Sequence, residues 1–338
     1  MRDPAQGGDT RIDDDSGRGP RPDRRTTKLA VVGAGAVGAT VAYAALMRGA
    51  ARTVALYDVN QAKVAAEALD LGHGIQFMPM AEVTGSDDIA VCADADVVVV
   101  TAGARQRPGQ SRLELAQATI ALTRAILPPL VDVAPNAVFV MVTNPVDIVT
   151  YAALKMSGLP RAQLFGSGTV LDSSRLRYLV AQHTGVAVQN VHAYMVGEHG
   201  DSEFPLWSSA SIGGVPLPQW RGSHGSGPLT PERRDQIARS VIDSAYQIIE
   251  GKGATNYAVA LATSRIIESV LKDERRVLPV SSLLEQYVGI SDVCLSVPTV
   301  VGRAGADRPL EVPMAAAELA SLRLSAETLK AVARRLGL

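Results

Sequence analysis

The chain has 338 residues, 47% of them hydrophobic and 20% charged, which is typical of a packed globular protein and excludes a wholly disordered one. Its 33 Lys and Arg against 34 Asp and Glu give a net charge of −1, so neither nucleic acid nor a membrane surface is expected as a partner. The two cysteines, Cys92 and Cys294, exclude a disulfide scaffold and a four-cysteine metal site, and they favour a cytoplasmic location.

Residues 1–27 differ from the rest of the chain. They contain six Arg, six Asp, four Gly and three Pro, but no Leu, Val, Phe, Tyr or Trp. Such a segment buries too little apolar surface to offset its chain entropy, so we predict a disordered tail. We expect neither a secretory signal, which needs an apolar core, nor a membrane helix, which needs roughly 20 apolar residues.

From residue 28 onward, short apolar runs alternate with helical patterns. Four consecutive valines, 97–100, are typical of a strand that is buried on both faces. The alternation predicts an α/β fold with a doubly wound parallel sheet of the Rossmann type, forming a dinucleotide-binding domain over residues 28–168. The predicted strands are 28–32, 53–57, 96–101 and 137–142, and the predicted helices are an alanine-rich stretch ending at residue 48, then 61–76 and 113–133.

The second half, residues 169–338, has a less regular pattern and predicts a mixed α+β substrate domain. Thr169 and Ser325 are predicted to cap helices, because hydroxyl side chains accept hydrogen bonds from the first free amides of a helix. Residues 213–228, rich in Gly, Pro and Ser, indicate a surface connection. The other predicted elements are a helix from 169 to about 183, a strand over 191–196, and helices over 230–251, over 254–271 and up to 337.

The stretch 33–38, Gly-Ala-Gly-Ala-Val-Gly, follows a predicted strand and opens a predicted helix, whose free amides can bind phosphates. The first glycine permits a tight turn, the second lets a pyrophosphate approach, and the third lets helix and strand pack closely. A carboxylate at the end of the next strand can accept both ribose hydroxyls and would repel a 2′-phosphate, which favours NAD over NADP. The alternative is an α/β unit that binds no nucleotide. The predicted cofactor-binding residues here are Gly33, Gly35, Val37, Gly38 and Asp58.

Charged residues in the middle of the chain form a second group. Asp172 and Arg175 lie three residues apart on a predicted helix and therefore share one face, which by itself is also typical of a surface ion pair. His199 lies between glycines after a predicted strand, as a metal ligand or a solvated loop residue would. Residues 103–112 contain three arginines and indicate a basic loop above the sheet.

In their order and spacing, these residues resemble the L-2-hydroxy-acid dehydrogenases, and most closely the NAD-dependent L-lactate dehydrogenases of bacterial type in the lactate/malate dehydrogenase family. The resemblance runs from about Lys28 to the C-terminus and leaves the tail outside. Besides 33–38, the matching stretches are 101–104 (TAGA), 106–112 (QRPGQSR), 143–147 (TNPVD), 171–175 (LDSSR), 197–201 (GEHGD) and 252–255 (KGAT).

The resemblance implies an acid–base role for His199, which would protonate the ketone oxygen during reduction and accept the proton in the reverse direction. It implies that Asp172 accepts a hydrogen bond from the other ring nitrogen. Arg175 would hold the substrate carboxylate with two N–H groups, a geometry that Lys cannot reproduce. No metal is expected.

Three more roles follow from the resemblance. Arg112 would polarise the substrate carbonyl as negative charge develops on its oxygen. Asn144 would place the carbonyl and its surroundings and belongs with the cofactor-binding residues; a cis peptide bond is expected between Asn144 and Pro145. Thr255 would line the pocket near the substrate side chain.

Gln106 is predicted to decide the substrate. The malate dehydrogenases resemble the chain in nearly all these stretches but carry Arg at this position, where it pairs with the second carboxylate of oxaloacetate. A neutral Gln cannot compensate that charge, so pyruvate and L-lactate are the expected substrates. A shift by one residue would place Arg105 or Arg107 in the pocket, but the fixed spacing from Gln106 to Arg112 argues against it.

Arg177 and His192 match the Arg and His with which bacterial lactate dehydrogenases bind fructose 1,6-bisphosphate between subunits. The resemblance therefore implies a homotetramer that this sugar phosphate activates. Relatives that do not respond to it also resemble the chain at both positions, so an unregulated enzyme is the alternative.

Three other functions stay open at this point. The first is a malate or other 2-keto acid dehydrogenase, and the second is a catalytically silent NAD-binding protein. The third is an NAD-using glycosidase whose metal would be bound by His199 together with Glu198 and Asp201.

Overall fold

The structure is a computed structural model that describes residues 26–104, 111–222 and 227–338, with the backbone alone of Arg112. The predicted tail therefore lies almost wholly outside the described residues. Within these ranges the helices are α1 (Ala36–Met47), α2 (Gln61–His73), α3 (Arg112–Val133), α4 (Val146–Ser157), α5 (Val170–Thr184), α6 (Pro231–Lys252), α7 (Tyr257–Leu271) and α8 (Ala316–Arg335). The strands are β1 (Lys28–Val32), β2 (Thr53–Tyr57), β3 (Glu82–Ser86), β4 (Val97–Val100), β5 (Val138–Met141), β6 (Leu164–Gly166), β7 (Val191–His192), β8 (Met195–Val196), β9 (Phe204–Pro205), β10 (Ser211–Ile212), β11 (Val215–Pro216), β12 (Arg276–Leu284), β13 (Val293–Gly302) and β14 (Gly305–Pro309).

The main sheet has the strand order β14-β13-β12-β6-β5-β4-β1-β2-β3 in the described residues. Strands β1 to β6 pair in parallel, and the chain reverses its direction of travel across the sheet between β1 and β4. In open sheets of this kind, ligands bind at the carboxyl ends of the strands beside such a reversal. The antiparallel strands β12 to β14 extend the same sheet, because Ser281 of β12 pairs with Gly166 of β6.

Helices cover both faces of the parallel part. The valines of β4 are all buried, and successive ones face opposite sides, so Val97 and Val99 pack in one apolar cluster and Val98 and Val100 in another. Helices α1 and α7 contribute to the first cluster, and α3 and α4 contribute to the second. This arrangement confirms the doubly wound α/β fold.

The predicted strands and helices of the first half are confirmed to within a few residues. The helices predicted over 169–183, 230–251 and 254–271 are likewise confirmed, as α5, α6 and α7. The prediction missed the helix α4 and the strands β3, β6 and β9 to β14. The strand predicted over 191–196 is two short strands, β7 and β8, which pair with different partners. No helix among the described residues has the length and apolar character needed to cross a membrane.

Both predicted hydroxyl caps are wrong. Thr169 stands at the N-terminus of α5, but its hydroxyl donates to the Met195 carbonyl at 2.6 Å and not to the helix. Ser325 lies buried in the middle of α8, which begins nine residues earlier at Ala316. The Ser325 hydroxyl instead accepts a 2.7 Å hydrogen bond from the backbone N–H of Glu198.

Candidate active site

The connection between β8 and β9 carries the predicted acid–base residue. These strands pair with Val196 opposite Phe204, so residues 197–203 form the turn of a short hairpin. Nδ1 of His199 in this turn lies 2.7 Å from Oδ2 of Asp172, which is in the first turn of α5. Asp172 is buried, and its other oxygen accepts a 2.6 Å hydrogen bond from Nη1 of Arg175. The Asp172 carboxylate is thus buried and Arg175 is largely buried, so the two do not form a surface ion pair.

The surroundings favour a protonated His199. Burial lowers the pKa of an imidazole, but the negative charge and hydrogen bond of Asp172 outweigh it and raise the pKa of His199 to about 9. Burial likewise works against a charged Asp172, yet His199 and Arg175 hold the pKa of Asp172 below its usual value. With Nδ1 bound to Asp172, Nε2 is the ring nitrogen left to exchange a proton with a substrate.

Arg175 has a guanidinium nitrogen to spare. Its Nη2 is buried and has no hydrogen-bond partner among the described residues, although Nη1 is bound to Asp172. An unpaired buried donor is unfavourable, and an anionic group placed beside it would satisfy it. Because Arg175 and His199 line the same cavity, a carboxylate bound here would lie next to the acid–base group.

Two neighbouring cavities meet at these residues. The larger, about 560 Å³, extends between the 197–203 turn, α6 and α8, and the smaller, about 100 Å³, extends toward α7. Asn144, Arg175 and His199 line both, and Thr255 lines the smaller. The Asn144–Pro145 bond is cis, as predicted. The structure thus brings Asn144, Asp172, Arg175, His199 and Thr255 together, whereas Gln106 and the Arg112 side chain lie outside the described residues.

Three residues that the sequence analysis did not assign to the active site support the 197–203 turn. The backbone N–H of His199 donates to Asp147 of α4 at 2.7 Å, and the Ser281 hydroxyl of β12 donates to the same carboxyl group. Burial, opposed by these hydrogen bonds, raises the pKa of Asp147 to about 6. Ser325 fixes the neighbouring amide of Glu198. Asp147 belongs to the matching stretch 143–147, but nothing in the sequence points to Ser281 or Ser325.

A further acid, Glu203, lies beside the pair. It is buried, and its Oε2 is 3.9 Å from Nδ1 of His199 with no hydrogen-bond donor among the described residues. Oxygen atoms of Asp172 and Glu203 and a ring nitrogen of His199 all lie within 4.8 Å of one another. Both oxygens of Asp172 already accept hydrogen bonds, so the cluster fits a hydrogen-bonded acid–base group better than a metal centre.

The predicted dinucleotide site has the geometry that a pyrophosphate needs. Gly33 has φ +100°, and a Cβ on Gly38 would lie 1.8 Å from the Gly33 carbonyl oxygen, so neither position accepts a side chain. A Cβ on Gly35 would meet nothing within 4 Å, which shows open space at the N-terminus of α1. Within residues 26–104, no side chain caps this helix and no acid lies in its first turn, so its amides are available to an anion.

Asp58 lies just after β2, beside this helix. Its Oδ2 accepts a 2.7 Å hydrogen bond from the backbone N–H of Ala34, between the first two glycines. The carboxylate is only partly buried, so it can also accept hydrogen bonds from a ligand. Val37 is half-buried in the first turn of α1. These residues fit a dinucleotide whose pyrophosphate meets the helix and whose ribose meets Asp58.

The two predicted allosteric residues lie on adjoining elements, and neither lines the two cavities of the candidate active site. Arg177 of α5 donates from Nε to the Ala193 carbonyl at 2.9 Å, and its guanidinium lies 5.0 Å from the centre of the Tyr194 ring. Burial lowers the pKa of Arg177. His192 is exposed at the end of β7, directly before Ala193.

Comparisons with known proteins agree with this site. The model of the lactate/malate dehydrogenase NAD-binding domain matches residues 27–166, and that of the alpha/beta C-terminal domain of the same family matches residues 169–335. An L-lactate dehydrogenase of Bifidobacterium animalis subsp. lactis is 57% identical over 313 residues, covering 93% of this chain and 98% of its own length. L-lactate dehydrogenase B of Hordeum vulgare is 46% identical over 321 residues, covering 94% and 93%.

Solved structures give the same result. A lactate dehydrogenase from a deep-sea metagenome library superposes with a TM-score of 0.88 at 34% identity, covering 93% of this chain and all of its own. The minor L-lactate dehydrogenase of Enterococcus mundtii superposes with a TM-score of 0.85 at 36% identity, covering 91% and 97%. The glycine turn, the hydrogen-bonded His–Asp–Arg group and these matches together show that the chain belongs to the lactate/malate dehydrogenase family, as an NAD-dependent oxidoreductase.

Proposed function

We propose that the protein is an L-lactate dehydrogenase, which converts pyruvate, NADH and a proton reversibly into L-lactate and NAD⁺ in fermentative glycolysis. The observation that carries this proposal is the buried Asp172 carboxylate, which binds both His199 and Arg175. One residue thereby fixes the proton donor and the carboxylate-binding cation relative to each other. The relatives' names and the neutral Gln106 support pyruvate over a dicarboxylic substrate.

The geometry gives each residue a step. The carboxylate of pyruvate accepts hydrogen bonds from Arg175, whose buried Nη2 lacks another partner in the described residues. Bound NADH supplies the hydride that reduces the carbonyl carbon. Nε2 of His199 donates its proton to the carbonyl oxygen, and Asp172 stabilises the imidazolium before the transfer. In the reverse direction neutral His199 accepts the hydroxyl proton of L-lactate.

The lining of the cavity supports the proposed reduction of a carbonyl group. Apolar side chains from four helices line it, including Leu115 of α3, Ile148 of α4, Ile242 of α6 and Leu329 of α8. Such a lining excludes water around the reacting carbonyl and strengthens the interactions of Arg175 and His199 with it. Arg112, by the family resemblance, adds a second cation that polarises the carbonyl.

The test is NADH oxidation by the purified full chain with pyruvate and, separately, with oxaloacetate. We expect a kcat/KM for pyruvate at least tenfold above that for oxaloacetate. The opposite preference would identify a malate dehydrogenase. No turnover of either acid, with NADH still bound, would indicate the catalytically silent alternative.

We also propose that the enzyme is a homotetramer. Several large apolar side chains are exposed near the dinucleotide-binding half, which is typical of a surface that another subunit covers. They lie on α1, on α2 and the segment after it, and on α7: Tyr43, Met47, Leu69, Phe77, Met80, Tyr257 and Leu261.

Regulation by fructose 1,6-bisphosphate is part of the same proposal. The bond from Arg177 to the carbonyl of Ala193 keeps its guanidinium beside the segment that carries His192. Two symmetry-related copies of this Arg and His could each bind one phosphate group, and binding across an interface would stabilise the assembled, active form.

Two further proposals concern the chain as a whole. We place the boundary between the dinucleotide-binding and substrate domains after Gly168, whose positive φ turns the chain from β6 toward α5. The free, buried thiols of Cys92 and Cys294 support a cytoplasmic location.

A further inference from the structure

The 197–203 turn holds two ionisable side chains that face the same carboxylate. His199 and Glu203 are four residues apart in the turn, with Oε2 of Glu203 3.9 Å from Nδ1 of His199. The strand that follows Glu203 pairs with the strand that precedes the turn, which fixes the separation of the two side chains. The distance is too long for a hydrogen bond but short enough for a strong interaction between charges.

The partners of the two acids decide which one carries the negative charge. Asp172 accepts hydrogen bonds from His199 and Arg175, whereas Oε2 of Glu203 has no donor among the described residues. Two buried carboxylates this close cannot both ionise at low free energy. Asp172 is therefore the ionised acid at neutral pH, and Glu203 holds a proton.

We propose that Glu203 is a positioning residue that extends the pH range over which His199 stays a proton donor. At neutral pH the carboxyl group of Glu203 is uncharged, so the negative charge that stabilises protonated His199 is that of Asp172. As the pH rises, Glu203 ionises, and its new negative charge holds the proton on His199 by direct attraction. Glu203 acts through His199, and nothing in the mechanism requires it to touch the substrate.

Electrostatics of the site agree with this assignment. Burial, followed by the charge of Asp172, raises the pKa of Glu203 to about 9 against the opposing effects of His199 and Arg175. The pKa of His199 is raised to about 9 as well, so the two groups titrate in the same range and as a coupled pair. In the part of the chain that the structure describes, the other charged groups around the cavity are Asp147, Glu198, Asp201 and Arg335, and the phenol of Tyr246 donates a hydrogen bond to Asp201.

The first arm of the test needs neither cofactor nor turnover. Brief pulses of diethyl pyrocarbonate modify unprotonated imidazole, and mass spectrometry of the His199 peptide reports the rate between pH 6 and 10. We expect Glu203→Gln to lower the pH at half-maximal modification by at least about half a unit, since the amide cannot become negative. Glu285→Gln, which removes an exposed acid that lines neither of the two cavities, is the control for loss of one charge.

The second arm rests on the proposed function and follows kcat/KM for pyruvate across the same pH range. The alkaline decline should begin at lower pH in Glu203→Gln by the same shift, so that at pH 9 the kcat/KM of the variant, relative to its own neutral-pH value, should be about twofold lower than that of wild type. If wild type does not reduce pyruvate, the proposed function fails while the modification arm still tests Glu203.

The proposal would be overturned if Glu203→Gln and the Glu285→Gln control had the same pH at half-maximal modification of His199 and the same alkaline decline in kcat/KM. If Glu203→Gln does not fold, Glu203→Asp replaces it as the test. That variant withdraws the carboxyl group by one methylene, so we expect a smaller shift in the same direction. An unshifted His199 midpoint in Glu203→Asp would equally overturn the proposal.

Discussion

The backbone N–H of His199 donates a 2.7 Å hydrogen bond to Oδ2 of Asp147, a residue 52 positions earlier in the chain. Oδ1 of the same buried carboxyl group accepts from the Ser281 hydroxyl at 2.5 Å. A single acid on α4 thus holds the backbone of the acid–base residue and a strand of the antiparallel part of the sheet.

Removing this acceptor should weaken both stability and catalysis. Asp147→Ala leaves the His199 amide and the Ser281 hydroxyl without it, and we expect the free energy of unfolding to fall by about 2–3 kcal/mol. We expect kcat for pyruvate to fall about tenfold, because a small displacement of His199 misaligns proton transfer. Asp147→Asn keeps one acceptor oxygen and should lose less of both. Urea unfolding measures the free energy of unfolding, and steady-state kinetics measures kcat. Asp307→Ala, at an exposed position, is the control. An Asp147→Ala protein as stable as this control would contradict the prediction.

Gln106→Arg should shift the substrate preference toward oxaloacetate. The new cation would pair with the second carboxylate and leave the methyl group of pyruvate poorly matched. We expect the ratio of kcat/KM values for the two acids to change by more than about tenfold, or 1.4 kcal/mol. An unchanged ratio, measured by NADH oxidation, would show that Gln106 does not face the substrate.

Arg175→Lys should impair pyruvate binding while NADH binding survives. Lys retains the positive charge but cannot bind Asp172 through one nitrogen and a carboxylate through another. We expect KM for pyruvate to rise by about a hundredfold or more, a loss of the size seen when a paired charged hydrogen bond is broken. Fluorescence titration measures the affinity for NADH. Arg161→Lys, at an exposed ion pair, is the matched control. A normal KM would remove Arg175 from the substrate site.

The raised pKa of His199 makes stability depend on pH. Its pKa is about 9 in the folded protein against 6.5 for an unperturbed histidine, so protonation favours the folded state. This stabilisation is fully present below pH 6.5 and is lost as the pH rises through about 9. We expect the free energy of unfolding to fall more steeply over that range in wild type than in His199→Asn. Parallel pH profiles of the two proteins, obtained by urea unfolding, would argue against the ion pair with Asp172.

Arg177→Ala should abolish activation by fructose 1,6-bisphosphate. In wild type at low enzyme concentration, we expect the sugar phosphate to lower the pyruvate concentration needed for half-maximal rate. The variant should not respond, because it lacks the cation that binds a phosphate group. An equal response of both proteins would show that Arg177 is not the ligand, and no response from wild type would rule out the regulation.

The sequence predicts the parallel half of the fold well and the antiparallel part poorly. Buried parallel strands such as 97–100 are unbroken apolar runs, which are easy to recognise. By contrast, Pro279 in β12 lies opposite Pro298 in β13, and a proline inside a run normally argues against a strand. The edge strand β3 has the sequence EVTGS, with one apolar residue and a glycine, so it lacks a strand pattern altogether.

The same contrast holds for the site. Asp172, Arg175 and His199 are recognised because they lie in stretches with a familiar order and spacing. Ser325 and Ser281 act through contacts with residues 127 positions or more away, which only the folded chain reveals. Glu203 carries no signal in the sequence beyond its charge, since its significance comes from burial and from its distance to His199.

The pairing of β6 with both β5 and β12 restricts how the enzyme can enclose its substrate. Enzymes whose two domains are joined by a flexible connection can close like jaws around a ligand. Here one uninterrupted sheet runs through both halves, so such a rotation would break backbone hydrogen bonds between strands. Enclosure must instead come from individual segments that move over a rigid platform. The turnover rate would then depend on substitutions in those segments and on solvent viscosity, but not on substitutions at the junction of the two halves.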